Sequence, residues 1–202
     1  PADAVAAVRR VAAVLEEMGH HVEDAHPAGL DEPLRAPALY GAERSVLRRE
    51  LEGLLGREVT ADDVEPMNWV QAEFARTVSG VDYALALAAN YAYRREVQQW
   101  WADGWDLLVT PTLAEPPTRI GEFANDPDQP MAPMIRAGQI VAFTPAFNSS
   151  GQPAISLPMH WTPEGLPVGV QLVAAYGRDD LLVRVASHLE QAAPWATRHP
   201  SL

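Results

Sequence analysis

Two adjacent serines, Ser149 and Ser150, are the side chains whose types and spacing first suggest nucleophilic chemistry. A catalytic serine needs a base that takes its proton and donors that hold the oxyanion. Asn148 and Gln152 beside them are not bases, and the sequence has no lysine, since all 15 Lys+Arg residues are arginine. Asn, Ser and Gly before a strand are typical of turns, because they bond to their own backbone there. We therefore predict that this chain carries no catalytic residue.

A cluster of histidines and carboxylates is the second candidate for chemistry, and it consists of His20, His21, Glu23, Asp24 and His26. These side chains are common metal ligands. Gly19 ends the preceding helical pattern, however, and adjacent side chains of an extended segment point to opposite sides. The sequence also has no cysteine, which excludes thiolate metal sites and disulfides. We expect neither a metal nor another cofactor.

The composition limits the partners of the chain. A net charge of -12 argues against nucleic acid, because phosphate binding depends on patches of Lys and Arg. The arginine pairs at 9–10, 48–49 and 94–95 lie within helical patterns and are expected on solvated faces. No apolar run approaches the roughly 20 residues of a membrane span. The sequence also does not open with a basic segment followed by an apolar one, which is the pattern of a secretory signal. We expect a cytoplasmic protein with no nucleic-acid or membrane partner.

The elements that must position any site follow from the hydrophobic spacing. It predicts helices over 3–18, 43–55, 69–76 and 81–101, the last of these well buried, and a final helix capped by Asp179 or Asp180. Apolar runs predict strands over 106–110, 154–158 and 168–173, the last two joined by a hairpin turn at 162–165. A short extended piece is expected at 21–23 and a proline-rich irregular loop over 111–133. This alternation predicts an α/β sandwich whose sheet is at least partly antiparallel.

One stretch, Phe143 to Leu182, carries a specific order of motifs: FTPAFNSSGQPAISLPMHWTPEGLPVGVQLVAAYGRDDLL. This order and wording resemble the C-terminal end of the amidase signature family, serine amidases built on a Ser-Ser-Lys triad. The opening AAVRRVAAVLEEMGHHVE resembles the helix and strand that follow the family's catalytic region. The run WDLLVTPT resembles the family's Asp-x-Leu-Leu-x-Pro-Thr strand. The resemblance therefore covers nearly the whole chain.

The resemblance implies a fold and a class of substrate. The implied fold is the C-terminal part of an α/β/α sandwich with a mixed sheet and helices on both faces, with residues 1–202 forming a single unit. The wording over 69–76 and 112–117 is closer to the bacterial amidases related to 6-aminohexanoate cyclic dimer hydrolase than to the tRNA-dependent amidotransferase A subunits. Those subunits tend to carry an acid where this chain has Val141-Ala142. A small, less polar amide is therefore favoured as substrate over glutamine.

The resemblance also implies binding residues. In the family, the Phe-Asn-x-x-Gly-Gln-Pro-Ala stretch lies near the substrate cleft. Carried over to this chain, it implies that Phe143, Thr144, Phe147 and Asn148 shape a substrate pocket. The alternative is that this segment has only a structural role, as a tight turn that leads into a core strand.

Three hypotheses about function follow, because the family's Gly-Ser-Ser-Gly-Gly run and its lysine are absent here. In the preferred one, the chain is the C-terminal half of an amidase, is inactive alone, and supplies sheet and pocket wall to a missing N-terminal half that carries the triad. In the second, it is a non-catalytic subunit that pairs with a separate catalytic half, as in an amidotransferase A-like or split amidase. In the third, it is a binding or structural domain that has lost its chemistry. A homodimer is a further alternative, because exposed strand edges can pair with those of a second copy.

Overall fold

The computed structural model describes residues 2–31 and 36–200, and these form seven α-helices and three β-strands. The helices are α1 (Ala2–Glu17), α2 (Pro37–Leu55), α3 (Pro66–Ala75), α4 (Gly80–Ala102), α5 (Ala132–Ile140), α6 (Pro145–Ser150) and α7 (Asp179–Ala192). The strands are β1 (Leu107–Pro111), β2 (Ala154–Trp161) and β3 (Pro167–Ala174). Two short 3₁₀ turns lie at Ala28–Leu30 and Ala61–Asp63.

Contacts divide the chain into two compact units. The sheet unit comprises residues 1–33, 94–119 and 139–202, and the helical unit comprises residues 34–93 and 120–138. The expectation that 1–202 form a single unit concerns the domain of a longer protein and stays a prediction. Residues 1, 32–35 and 201–202 of that range lie outside the described residues.

The three described strands pair in the order β1-β3-β2, and both pairs are antiparallel. The β2–β3 hairpin turns at Gly165, whose φ of +82° is a conformation that glycine adopts without strain. The α/β class is confirmed, while the mixed character expected of the sheet is not seen in this part of the chain. β1 and β2 are the two edges of the sheet, so that each has one side unpaired within residues 2–31 and 36–200.

One face of the sheet holds the core of the sheet unit. The inward side chains of β3, including Val170 and Leu172, pack with Val11 of α1 and Leu189 of α7, and all four are at most 1% exposed. Burial of a side chain of this kind contributes roughly 1.5–3 kcal/mol. The opposite face carries Gln171, which reaches the segment just before α6, and α6 is bonded to α4. Helices therefore lie toward both faces, as predicted.

The helical unit is held by packing of α2 on α3 and by one arginine between them. Arg48 donates to Glu52 at 2.9 Å and to Glu73 at 3.0 Å, and its guanidinium lies 5.5 Å from the centre of the Trp69 ring. These donated bonds hold the pKa of Arg48 above its ordinary value, and the bond from Arg48 lowers the pKa of Glu52. Arg48 thus links two helices by charge and by its flat face.

Several sequence expectations are confirmed and others are wrong in detail. The strands and the last helix lie where predicted, and residues 112–131 contain neither a helix nor a strand. Helix α2 begins six residues early, because Pro37 suits a first turn. The predicted burial of 81–101 is wrong for the first half of α4, where Val81 is 69% and Leu85 is 65% exposed.

The helix ends also differ from expectation. Residues 148–150, expected in a polar turn before the strand, belong to the short helix α6, which begins at Pro145 and is followed by Gly151 with φ +82°. Neither Asp179 nor Asp180 caps α7; Arg178 holds the cap position and both acids lie in the first turn. Negative charge there still stabilises the helix, because it faces the positive end of the helix dipole. Within the described residues, no helix is both long and apolar enough to cross a bilayer.

Candidate functional site

A row of polar side chains crosses the sheet on the face opposite the core. Thr110 of β1 and Ser156 of β2 both stand opposite Gln171 of β3, the central strand. The Gln171 side-chain amide donates to Thr110 Oγ1 at 3.0 Å and to the carbonyl of Phe143 at 3.1 Å, and the residue is only 5% exposed. A buried polar group with its bonds made is a rigid feature of a core. The row therefore fixes the start of the 143–150 segment on the sheet.

One step along the same face, a second pair of hydroxyls lies over a glycine. Thr112 Oγ1 and Ser156 Oγ are 2.6 Å apart. A Cβ placed on Gly169 would stand 2.7 Å from the serine oxygen and 2.8 Å from the threonine oxygen, so that only glycine leaves room for this pair. A pocket of about 150 Å³ opens here, lined also by Glu115 and Pro117. The row and this pair, Thr110, Thr112, Ser156, Gly169 and Gln171, are called the polar row below.

The four residues predicted to shape a pocket lie together beside the polar row. Phe143 is 36% exposed and its carbonyl accepts the bond from Gln171. Thr144 stands at the start of α6, with its hydroxyl donating to the carbonyl of Val141 at 3.3 Å. Phe147 is 5% exposed and Asn148 is exposed. Phe143 and Asn148 thus present surface, while Phe147 anchors α6 by packing.

The two adjacent serines differ in how deeply they are buried. Ser150 is fully buried, and its hydroxyl donates to the side-chain oxygen of Gln152. Its carbonyl accepts from Arg94 Nε at 3.1 Å and from Gln98 Nε2 at 3.2 Å. Ser150 therefore joins the end of α6 to α4. A buried hydroxyl held in this way has a structural role.

Two buried donors of the sheet unit have no hydrogen-bond acceptor in the described part of the chain. They are Gln152 Nε2 and Trp101 Nε1, on residues that are 6% and 7% exposed. A buried donor without a partner costs about 1–3 kcal/mol.

The histidine cluster shows pairs rather than a ligand set. His26 Nε2 lies 2.8 Å from Asp31 Oδ1, and His21 pairs with Glu23, all on exposed side chains. Across residues 2–31 and 36–200, no group of three His, Cys, Asp or Glu side chains is arranged to hold a metal.

A carboxyl group with a lowered pKa, that of Asp180, lies at the start of α7 in the sheet unit. Arg178 Nε donates to Asp180 Oδ1 at 3.0 Å, and this bond lowers the pKa of that carboxyl. The same bond raises the pKa of Arg178. This ion pair therefore has a structural role at the N-terminal end of α7.

Sequence reasoning predicted a pocket wall at 143–148, which stays a prediction, and it did not predict the polar row. A signal was present, since Gly169 and Gln171 are two residues apart in an apolar strand, and Thr110 and Thr112 are two residues apart at the end of another. Side chains two residues apart in a strand share a face. The alternation therefore could have predicted one polar face, although not which strands place their polar residues side by side.

Comparison with known proteins agrees with this fold. The profile of the Amidase family matches residues 1–183. The 6-aminohexanoate-cyclic-dimer hydrolase of Paenarthrobacter ureafaciens is 40% identical over 208 residues, which cover 99% of this chain and 42% of that protein. The amidase AmiC of Mycobacterium tuberculosis H37Rv, named as putative, is 34% identical over 200 residues, with 94% and 40% covered.

A solved structure of 6-aminohexanoate cyclic dimer hydrolase, complexed with substrate, superposes with a TM-score of 0.91 at 38% identity. The match covers 98% of this chain and 43% of that one. The chain thus spans about two-fifths of the length of these relatives, and the predicted resemblance to this type of amidase is confirmed. With its fold and nearly all of its sequence matched, the chain belongs to the amidase family and has the fold of the C-terminal portion of amidase signature enzymes.

Proposed function

We propose that this chain is the C-terminal part of an enzyme that hydrolyses a linear or cyclic carboxylic amide. The Ser-Ser-Lys triad that the family resemblance implies lies in the rest of that protein, because this sequence has no lysine. In such a mechanism a serine attacks the amide carbonyl, the amine leaves with a proton, and water releases the acid from the acyl-enzyme. The contribution of this chain is to build and hold one wall of the pocket, and by itself it is inactive.

The polar row carries this proposal. It brings hydroxyl and amide groups onto one face of a sheet that is otherwise lined by apolar side chains. Binding sites for small molecules are mostly apolar, with few placed polar groups that fix orientation. Gln171 connects the row to Phe143, and the exposed Asn148 lies at the far end of the same segment. The substrate wall is accordingly the surface of Phe143, Thr144 and Asn148, with Phe147 packed beneath.

The 40% identity to a hydrolase named for a cyclic amide supports the substrate class. This chain covers only 42% of that relative, which supports a missing catalytic part. That part could be an N-terminal extension of the same polypeptide or, in the second candidate function, a separate polypeptide. The upstream coding sequence separates the two, since a Gly-Ser-Ser-Gly-Gly run in the same reading frame supports the first and a separate gene supports the second.

Activity tests the proposal with two proteins. The 202-residue chain should neither hydrolyse an aliphatic cyclic or linear amide nor react with a serine-directed fluorophosphonate probe. A chimera that places this chain after the N-terminal part of the Paenarthrobacter relative should do both. Stoichiometric labelling of the chain alone, or a folded chimera without activity, would refute the proposal.

Substitutions of two asparagines, one in the proposed substrate wall and one outside it, test that wall. Asn148→Ala in the chimera should raise KM or lower kcat, whereas Asn125→Ala, at an exposed position of the 112–131 loop, should leave both unchanged. Equal kinetics for the two variants would remove Asn148 from the site.

A further inference from the structure

The short helix α6 is held by other elements at both of its ends. Just before its start, the carbonyl of Phe143 accepts a bond from Gln171 at 3.1 Å. At its end, the carbonyl of Ser150 accepts two bonds, from Arg94 Nε at 3.1 Å and from Gln98 Nε2 at 3.2 Å. A helix of six residues is far shorter than the roughly 12–15 residues at which an isolated helix becomes marginally stable. The conformation of α6 therefore depends on these contacts.

Both donors at the end of α6 come from one face of α4. Arg94 and Gln98 are four residues apart in that helix, a spacing that places both side chains on the same side. The guanidinium of Arg94 also lies against the turn after α6, because a Cβ on Gly151 would stand 3.2 Å from its Nη2 atom. Hydrogen bonds from a charged group are roughly twice as strong as neutral ones. Arg94 is therefore the stronger of the two donors to this carbonyl.

Asn148 lies in the turn of α6 that Arg94 holds. The N–H of Gly151 donates to the carbonyl of Phe147 at 2.8 Å and closes this turn around Asn148. Phe147 is 5% exposed, so that packing fixes its side chain. Asn148 is exposed, and the direction of its side chain therefore follows the backbone of α6. Loss of the Arg94 bond should displace Asn148 more than Phe147.

Resting on the proposed function, we propose that Arg94 is a positioning residue of the amide hydrolase. By holding the carbonyl of Ser150, it sets the orientation of Asn148 in the substrate wall. Arg94 acts through α6 and takes no part in the steps that make or break bonds. A displacement of about 1 Å in a site can cost an enzyme about a hundredfold in rate. The alternative is that Arg94 stabilises the chain without affecting the substrate wall.

Hydrogen exchange in the 202-residue chain tests whether Arg94 holds α6. Arg94→Met removes the guanidinium and keeps an apolar stem, so the Gly151 amide should exchange about tenfold faster or more. The amide of Leu172 in the central strand should change less, because it reports the stability of the whole sheet unit. Equal exchange of Gly151 in the parent and in Arg94→Met overturns the proposal.

Three further variants control this measurement. Arg95→Met changes the exposed neighbour of Arg94 on the same helix and should leave the Gly151 amide unchanged. Arg94→Lys keeps the charge and a donor, and it should recover much of the protection of Gly151. Gln98→Leu removes the neutral donor to the same carbonyl and should speed exchange of Gly151 severalfold. If Arg94→Met does not fold, unchanged exchange in Gln98→Leu overturns the proposal instead.

A double-mutant cycle in the chimera with the N-terminal part of the Paenarthrobacter relative tests the effect on the site. Arg94→Met should lower kcat/KM about tenfold or more, Arg94→Lys should restore much of it, and Arg95→Met should leave it unchanged. Because Arg94 acts through Asn148, the double variant with Asn148→Ala should be no worse than the poorer single variant. A purely structural role would lower the amount of folded enzyme and leave kcat and KM of the folded molecules unchanged.

The outcomes separate this proposal from the proposed function. Unchanged kcat and KM for Arg94→Met in an active chimera overturn the role of Arg94 and leave the hydrolase intact. Additive losses from Arg94→Met and Asn148→Ala also overturn it, since they mean two independent effects. A folded parent chimera without activity overturns the proposed function and the positioning role with it, while exchange of Gly151 still shows whether Arg94 holds α6.

Discussion

Replacing Gln171 with leucine should destabilise the chain by about 2–3 kcal/mol. The variant loses the two bonds that Gln171 Nε2 donates, at 3.0 Å to Thr110 Oγ1 and at 3.1 Å to Phe143 O. Each net bond is worth roughly 1 kcal/mol, and an acceptor left without a partner adds about 1 more. Thr110 keeps one bond, since its hydroxyl donates to the carbonyl of Pro111 at 3.0 Å. Most of the loss therefore falls on Phe143 and the start of the predicted pocket wall.

Urea and thermal unfolding of the 202-residue chain measure this loss. For a protein of this size, 2–3 kcal/mol corresponds to a fall in Tm of roughly 4–12 °C. Gln191→Leu is the matched control, because Gln191 is exposed and only reaches Ser187 Oγ at 3.4 Å. It should change the free energy of unfolding by less than about 0.5 kcal/mol. Equal values for the two variants would refute the claim that Gln171 holds the 143–150 segment.

Gln171→Glu refines the same prediction, because it keeps the shape and removes the donor at high pH. Burial penalises the charged carboxylate, so the pKa of the new acid is higher in the folded than in the unfolded chain. The variant should therefore be most stable below the unfolded value of about 4.3 and lose stability as pH rises through the folded value. An unfolding free energy, relative to the parent chain, that does not fall with rising pH would mean that the site is open to water.

Three further perturbations test other parts of the structure. Gly169→Ala should cost about 1–3 kcal/mol by overpacking, because its Cβ would meet two hydroxyl oxygens at 2.7 and 2.8 Å. Gly138→Ala, with nothing within 4 Å of its Cβ in α5, should instead stabilise the chain by about 0.5–1 kcal/mol. Bonds from Arg57 and from the Thr60 N–H hold the pKa of Asp63 well below its ordinary value. Stability from this carboxylate is present above about pH 4 and is lost as pH falls below it. Asp63→Asn should therefore flatten that acid limb in urea titrations.

Much of the architecture could be predicted because local chemistry specifies it. Gly165 and the apolar runs on either side determine the β2–β3 hairpin, and the proline-rich composition of 112–131 keeps that stretch irregular. Helix α6 was missed since it is only six residues long, too short for a periodic apolar pattern. The burial of α4 was misjudged because apolar side chains indicate a surface that is to be covered. They do not show that residues of this chain cover it.

By itself, the sequence determined most of the elements, the family and the absence of a lysine, because these depend on residue types and on spacing along the chain. Only the tertiary structure decided that β3 lies between β1 and β2. That order brings Thr110 to Gln171, which is 61 residues away. The physical reason is that strand pairing joins distant segments, whereas propensity and periodicity describe each segment alone. The polar row is a product of that pairing.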